Sequence, residues 1–154
     1  MESRPQQDSE PQALTAIPAD FTPVIALDVC FDAVYGLEVL DEGEDDGAVR
    51  GRVAIRDELR QQFGLLHGGV ISALAEALAS RGTWLAMYPE GKLVMGMSNE
   101  TNFLRPLLEG HLNATAVPLH KGRTRWVWEV QSRDDQQRLC AVTTVNIAVR
   151  DAPA

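Results

Sequence analysis

Gly68-Gly69-Val70-Ile71-Ser72-Ala73-Leu74-Ala75-Glu76-Ala77-Leu78-Ala79-Ser80-Arg81-Gly82-Thr83-Trp84-Leu85-Ala86-Met87 is the stretch that decides the fold. Alanine, the residue with the highest helix propensity, stands at Ala73, Ala75, Ala77, Ala79 and Ala86. The composition predicts one long helix over Val70 to Met87, entered through Gly68-Gly69 and ended by Pro89 and Gly91.

Outward from that helix the pattern changes to extended chain. On the C-terminal side, Leu93, Met95 and Met97 begin a strand that reaches Phe103, and Arg105-Pro106 breaks it. His111 to Leu119 follows as a strand and turns at Lys121-Gly122. Arg123 to Ser132 alternates, with Trp126, Trp128 and Val130 on one face, and Asp134-Asp135 turns it. Leu139 to Arg150 is the last strand, with Ala141, Val145, Ile147 and Val149 toward the core. On the N-terminal side, Ala48 to Ile55 alternates and pairs with a short strand at Leu37 to Leu40 across the acidic turn 41–47. Arg56 to His67 is a loop long enough to suggest a function. Phe21 to Tyr35 has an ambiguous period and reads best as a short helix or two helical turns before Gly36.

The order is strand, strand, long helix, then four strands joined mainly by short turns. That predicts an α+β fold in which an antiparallel sheet curls around one alanine-rich helix. The opposite sheet face is expected to keep Trp126 or its neighbours partly apolar, and so to meet a partner subunit. Residues 1–19, rich in Pro, Gln, Ser and Ala, read as a flexible leader, and residues 20–154 as a single domain.

The 154 residues carry a formal charge of -8, placed unevenly. Residues 1–46 hold 12 acids against Arg4, and the remaining 108 hold 10 acids against 13 bases. Overall acidity argues against a nucleic-acid partner. No apolar run approaches the roughly 20 residues that span a bilayer, so no membrane partner is expected. Cys30 and Cys140, with a polar start to the chain, suit a reducing cytoplasm and read as small, partly buried residues. His67, His111 and His120 show no metal-ligand spacing, so no metal is expected.

The chemistry concentrates between Gln61 and Ser80. A helix start presents unpaired N–H groups and a positive dipole end, and Gly68 has no side chain to block its own N–H. A carbonyl docked there is polarised as negative charge develops on its oxygen. The same glycines also suit a plain tight turn into a helix. Ser72, Glu76 and Ser80 are four apart and share one helix face, which Thr83 roughly continues. An exposed face of that length usually carries more charge, so a lone carboxylate among small residues suggests a lined pocket. Glu76 lies eight residues past Gly68, or about 12 Å along the axis at the helical rise. One carbonyl group spans no such distance. If both residues act, they come from opposite subunits of a dimer with antiparallel helices.

Gly64-Leu65-Leu66-His67-Gly68-Gly69-Val70 with Glu76, then Asn102-Phe103-Leu104-Arg105-Pro106 and Gly122-Arg123-Thr124, resembles the signature of hotdog-fold acyl-CoA thioesterases. The branch resembled is the one related to phenylacetic-acid-pathway enzymes, over about residues 30–150. The resemblance implies a dimeric working unit, often paired into a tetramer. It implies hydrolysis of an aromatic acyl-CoA such as 4-hydroxybenzoyl-CoA, with coenzyme A part of the substrate and no separate cofactor. Carried onto this chain, the Gly68 N–H holds the thioester oxygen, His67 shapes the loop, and Gln61 positions substrate or water. Glu76 of the facing subunit is nucleophile or general base, and Ser80, where close relatives carry threonine, orients it. Coenzyme A phosphates are expected on Arg105, Lys121, Arg123, Thr124 and Arg150. Phe63, Leu65, Trp84, Met95 and Met97 are candidates for the acyl pocket.

A broad acyl-CoA or acyl-carrier-protein thioesterase, a dehydratase or acyl-CoA-binding protein on the same fold, and a structural oligomer are the competing functions.

Overall fold

The computed structural model describes Pro18, residues 20–42 and residues 46–152. Most of the expected leader and the centre of the acidic turn lie outside the described residues.

The long helix forms over α2 (Gly68–Met87), two residues earlier than its composition suggests, because Gly68 and Gly69 take helical geometry. Around it, in chain order, lie α1 (Phe31–Tyr35), β1 (Leu37–Asp41), β2 (Val49–Ala54), β3 (Lys92–Phe103), β4 (His111–Lys121), β5 (Arg125–Arg133) and β6 (Leu139–Asp151). All six strands make one antiparallel sheet in the order β1-β2-β4-β5-β6-β3. This is the α+β hotdog fold, a curved sheet wrapped around a central helix. Helical geometry between Phe21 and Tyr35 is confined to α1, while the preceding residues make turns. The apolar run that made the period ambiguous, Val24 to Val34, stays largely exposed, so no buried face fixes a longer helix.

The core lies between α2 and the concave face of the sheet. Leu74, Leu78 and Leu85 of the helix meet Val49, Val53, Leu112, Val130, Val145 and Ile147 of the strands. Close approach depends on absent side chains. A Cβ on Gly82 would sit 2.5 Å from the Trp128 ring, and one on Gly51 2.9 Å from Leu78.

Two expectations are corrected here. Trp126 and Trp128 do not leave an apolar outer face: both are buried against the helix, with Trp128 fully enclosed. The Trp128 Nε1–H donates to Thr83 Oγ1 at 2.9 Å, and Thr83 in turn donates to the Ala79 carbonyl. Burying an indole is inexpensive once its N–H is satisfied, and truncating such a side chain costs about 3–5 kcal/mol. Thr83 therefore belongs to the buried face of α2 and not to the Ser72, Glu76, Ser80 stripe. Exposed apolar residues of the sheet lie at Leu40 on β1, at Val117 and Leu119 on β4, and most densely on β3, where Leu93, Met95, Met97 and Phe103 are all open. β3 is an edge strand, paired on one side only, with β6.

Candidate active site

The loop from Arg56 to His67 is held by backbone hydrogen bonds to fixed neighbours. A 3-10 turn at Asp57–Leu59 opens it. Gln61 and Leu65 close a tight turn, and Gly64 takes the left-handed conformation (φ 86°) that favours glycine. The Leu66 N–H donates to the Leu107 carbonyl, and the His67 N–H to Leu59. The loop thus delivers His67 to the start of α2 as its N-cap.

The His67 side chain accepts the Gly69 N–H through Nδ1 at 3.0 Å. An imidazole accepting at Nδ1 carries its proton on Nε2. The His67 carbonyl takes the Val70 N–H. Among the described residues the Gly68 N–H donates to no protein group, so it is the free donor at this helix end. The Phe103 ring lies over it, and a Cβ on Gly68 would come within 2.8 Å of that ring. Gly68, Gln61, Leu65, Ile71, Phe103 and Arg105 line a cleft of about 500 Å³.

Glu76 lies in a second cavity, of about 350 Å³, with Ser80, Trp84, Val94, Phe21 and Asp32 among its walls. Ser80 donates its hydroxyl to Glu76 Oε1 at 2.7 Å. β3 crosses directly over the carboxylate at Gly96, where a Cβ would lie 2.9 Å from Oε1. Ser72 does not join this pocket. It donates to Thr101 at 3.0 Å, while its carbonyl takes Asn99 Nδ2–H, tying the helix to β3. Beside the cavity, the buried Tyr35 donates its hydroxyl to Asp32 Oδ1 at 2.7 Å. Burial first, then that hydrogen bond and the negative charges of Asp32 and Glu76, push the Tyr35 phenol above its ordinary value.

The two cavities lie at different levels of α2, about two turns apart. One chain brings Gln61 to Gly68 and Ser80 to Glu76, but not the two pairs to each other.

Of the candidate phosphate-binding residues, Lys121, Arg123, Thr124 and Arg150 gather at one end of the sheet. The Thr124 carbonyl accepts Arg150 at 2.7 Å and the Val149 N–H, with Arg123 next in the turn. Lys121 lies 5.1 Å over the Trp126 ring. Arg105 stands apart near Cys140, whose carbonyl takes the Arg105 N–H. Ten residues of β6 separate Cys140 from Arg150, about 33 Å of extended strand.

Trp84 and Leu65 line cavities as the sequence suggests, whereas Phe63, Met95 and Met97 are exposed. Gly96, Phe103 and Asp32 were not among the sequence candidates as functional residues. Gly96 carried a legible signal, since glycine inside a strand marks close approach of another group. Among the described residues no three His, Cys, Asp or Glu side chains gather in a way that holds a metal ion. No helix among them is long and apolar enough to cross a membrane.

Fold and site together define a hotdog protein with a free helix-start N–H and a serine-held carboxylate on its central helix. The chain belongs to the thioesterase superfamily, whose family model matches residues 63–141. Rv1847 of Mycobacterium tuberculosis is 38% identical over 115 residues, 73% of this chain and 81% of that protein. Its solved structure superposes with a TM-score of 0.75 at 35% identity, covering 80% of this chain and 98% of that one. The structure of thioesterase HI1161 from Haemophilus influenzae matches with a TM-score of 0.73 at 34% identity, covering 78% and 82%. The proofreading thioesterase EntH of Klebsiella pneumoniae is 36% identical over 103 residues, 67% of this chain and 74% of EntH. The protein is therefore a member of a superfamily of thioester hydrolases.

Proposed function

We propose that the protein hydrolyses acyl-CoA or acyl-carrier-protein thioesters in active sites shared between two subunits. The observation that carries this reading is the pairing of Glu76 with Ser80 in one pocket and of Gly68 with Gln61 in another. Each pair supplies half of what thioester hydrolysis needs.

The Gly68 N–H, at the positive end of α2, polarises the thioester carbonyl and stabilises the oxyanion. Gln61, in the same cleft, positions substrate or water. His67 keeps the N–H of Gly69 occupied and leaves that of Gly68 free. Glu76 from the facing subunit supplies the attack. Its carboxylate either adds to the carbonyl carbon or takes a proton from a water that does so. The C–S bond then breaks, and the sulfur leaves with the bonding electrons as a thiolate; where Glu76 itself has added, a water then cleaves the acyl–Glu76 anhydride, releasing the acid and restoring the carboxylate. Ser80 engages one Glu76 oxygen and directs the other to the reaction.

β3 supplies the dimer surface this requires. It presents a free edge and a row of exposed apolar side chains, a liability that a second copy removes. Two β3 strands paired antiparallel about Asn99–Glu100 bring the Gly96 end of one, above Glu76, beside the Phe103 end of the other, above Gly68. Such dimers can pair again into a tetramer. Lys121, Arg123, Thr124 and Arg150 form the more compact phosphate site, and Arg105 serves the mouth of the Gly68 cleft.

The named thioesterases among the relatives support the broad substrate range better than 4-hydroxybenzoyl-CoA alone, which remains one candidate within it. Thiol release from benzoyl-, 4-hydroxybenzoyl-, phenylacetyl- and medium-chain acyl-CoA tests the reading. Turnover of at least one is expected, with Glu76→Ala lowering kcat about 10²–10⁴-fold. A Glu76→Ala enzyme that keeps more than about a tenth of kcat overturns the assignment.

A further inference from the structure

α2 and the edge strand β3 meet at three levels, and the middle one differs in kind from the other two. At the helix start the Phe103 ring lies over Gly68, and two turns on Gly96 passes over the Glu76 carboxylate. Both are contacts of shape, with no directional bond to stop the helix sliding. Between them, at Ser72, the contact is a closed ring of hydrogen bonds. Ser72 Oγ–H donates to Thr101 Oγ1 at 3.0 Å, Thr101 donates to Asn99 Oδ1 at 3.0 Å, and Asn99 Nδ2–H returns to the Ser72 carbonyl at 2.8 Å. Among the described residues no other hydrogen bond joins α2 to β3.

The ring uses the full capacity of the Thr101 hydroxyl. Its single proton goes to Asn99, so Thr143 Oγ1, buried on β6 and 3.0 Å away, donates to Thr101, which accepts from Ser72 and Thr143 together. A β-bulge makes this possible. Gly96 and Asn99 are three residues apart and would face opposite sides of a regular strand, but the register shift between Gly96 and Ser98 turns both toward α2. Ser72 is also the peptide unit that links the two reactive halves. In the hydrogen-bond pattern of an α-helix its N–H goes to the Gly68 carbonyl, and its carbonyl takes the Glu76 N–H. The Asn99 amide therefore shares an acceptor with the backbone of Glu76.

We propose that Asn99 is a positioning residue: with Thr101 it clamps Ser72 to β3, and so sets how far along the dimer seam Glu76 of one subunit stands from Gly68 of the other. This rests on the thioesterase reading and on its shared site. Two β3 strands paired about a two-fold axis run in opposite directions, so a slip of α2 along β3 moves Glu76 and the facing Gly68 in opposite senses. The error across the site is twice the slip. A slip of about 0.5 Å becomes about 1 Å, a misplacement that costs on the order of 100-fold in rate. The basic cluster at Thr124 is carried by β4, β6 and the turn before β5, and does not move with α2.

The test measures kcat and KM in the full chain and in Asn99→Ala, Thr101→Val and Thr101→Ser. The substrate is the fastest of benzoyl-, 4-hydroxybenzoyl-, phenylacetyl- and medium-chain acyl-CoA. Asn99→Ala and Thr101→Val, which keeps the shape but removes the hydroxyl, are expected to lower kcat about tenfold to 100-fold with KM within about threefold. Thr101→Ser keeps the hydroxyl and should hold kcat within about threefold of wild type. A kcat unchanged in Asn99→Ala, a KM rise that accounts for the whole loss, or a Thr101→Ser enzyme no better than Thr101→Val overturns the proposal while leaving thioesterase activity standing. Asn99 is exposed, so its variant decides the matter if Thr101→Val, beside the buried Thr143, folds poorly. An active monomer, seen by sedimentation, refutes the shared site and the proposal with it. If no thioester is turned over, the activity reading fails instead, and amide exchange decides the clamp alone. Exchange at Glu76 faster by about tenfold or more in Asn99→Ala, with Leu85 unchanged, supports it. Equal acceleration at both amides, or none at either, overturns it.

Discussion

The two cavities along α2 are built from opposite materials. The cleft at the helix start offers a backbone N–H, a glutamine and a phenylalanine ring over a glycine. The cavity two turns on offers carboxylates, a serine and an aromatic wall. The first stabilises negative charge, and the second supplies it. Within one subunit the two lie apart, and their separation is fixed by the rise of the helix. On the proposed reading, the reactive geometry belongs to a pair of subunits, and each cavity by itself shows only half of it.

Mixing inactive variants breaks or sharpens that contrast most forcefully. Glu76→Ala and Gln61→Ala each disable a different half. If every site takes one half from each subunit, a mixed dimer holds one intact site and one doubly disabled site. Random reassortment of equal amounts then restores about a quarter of wild-type activity. Sites contained within one subunit predict no recovery after unfolding and refolding the mixture. Steady-state thiol release before and after reassortment reads the difference directly.

A smaller effect is expected where β3 crosses Glu76. In Gly96→Ala the new methyl group meets Oε1 at 2.9 Å, closer than side-chain carbons normally come. The carboxylate must turn away or surrender the Ser80 bond. We expect kcat to fall about tenfold to 100-fold, the scale on which small misplacements act. KM for the coenzyme A moiety should be nearly unchanged. The atoms nearest a Cβ on Gly96 all belong to Glu76, and none to the basic cluster at Thr124 or to the Gly68 cleft. A KM change without a kcat change would show that Gly96 serves binding and not the placement of Glu76.

The fold was largely legible because its strongest signal is local. An alanine-rich run forms helix on propensity alone, and short turns between alternating segments leave antiparallel pairing as the simple outcome. The spacing of Ser72, Glu76 and Ser80 was equally local, and it placed Glu76 and Ser80 together correctly. What failed depended on tertiary choice. Trp126 and Trp128 alternate as a strand face should, but alternation does not say which face meets the helix. Thr83 lies close enough to the Glu76 stripe to be counted with it. Its rotation toward Trp128 is set by an indole that needed an acceptor. Asp32 was illegible because α1 is a single helical turn with no period of its own, and its place beside Glu76 depends on how 20–35 packs. The division of the basic residues into a cluster at Thr124 and a separate Arg105 likewise follows from the length of β6 and not from sequence distance.

The smallest effect concerns stability on the carboxylate side alone. Tyr35 is buried, and its phenol is raised above the ordinary value of 10.0, by burial first and then by Asp32 and Glu76. The folded protein thus keeps the proton where the unfolded chain gives it up. A raised value contributes stability that is fully present below the unfolded value. That stability is lost as pH rises beyond it, because the unfolded state then binds fewer protons than the folded one. At pH 11, one unit above the unfolded value, the loss is about 1.4 kcal/mol for a group still protonated when folded. Tyr35→Phe has no proton to lose, so its denaturant midpoint should fall less than that of the wild type between pH 9 and pH 11. Near neutral pH the variant should be somewhat less stable, since Asp32 loses its hydroxyl partner. The two stability curves therefore converge as the solution becomes alkaline. Parallel curves would mean that Tyr35 ionises in the folded protein as freely as in water. The carboxylate cavity would then be more open than its burial indicates, and the contrast between the two halves of the site would weaken accordingly.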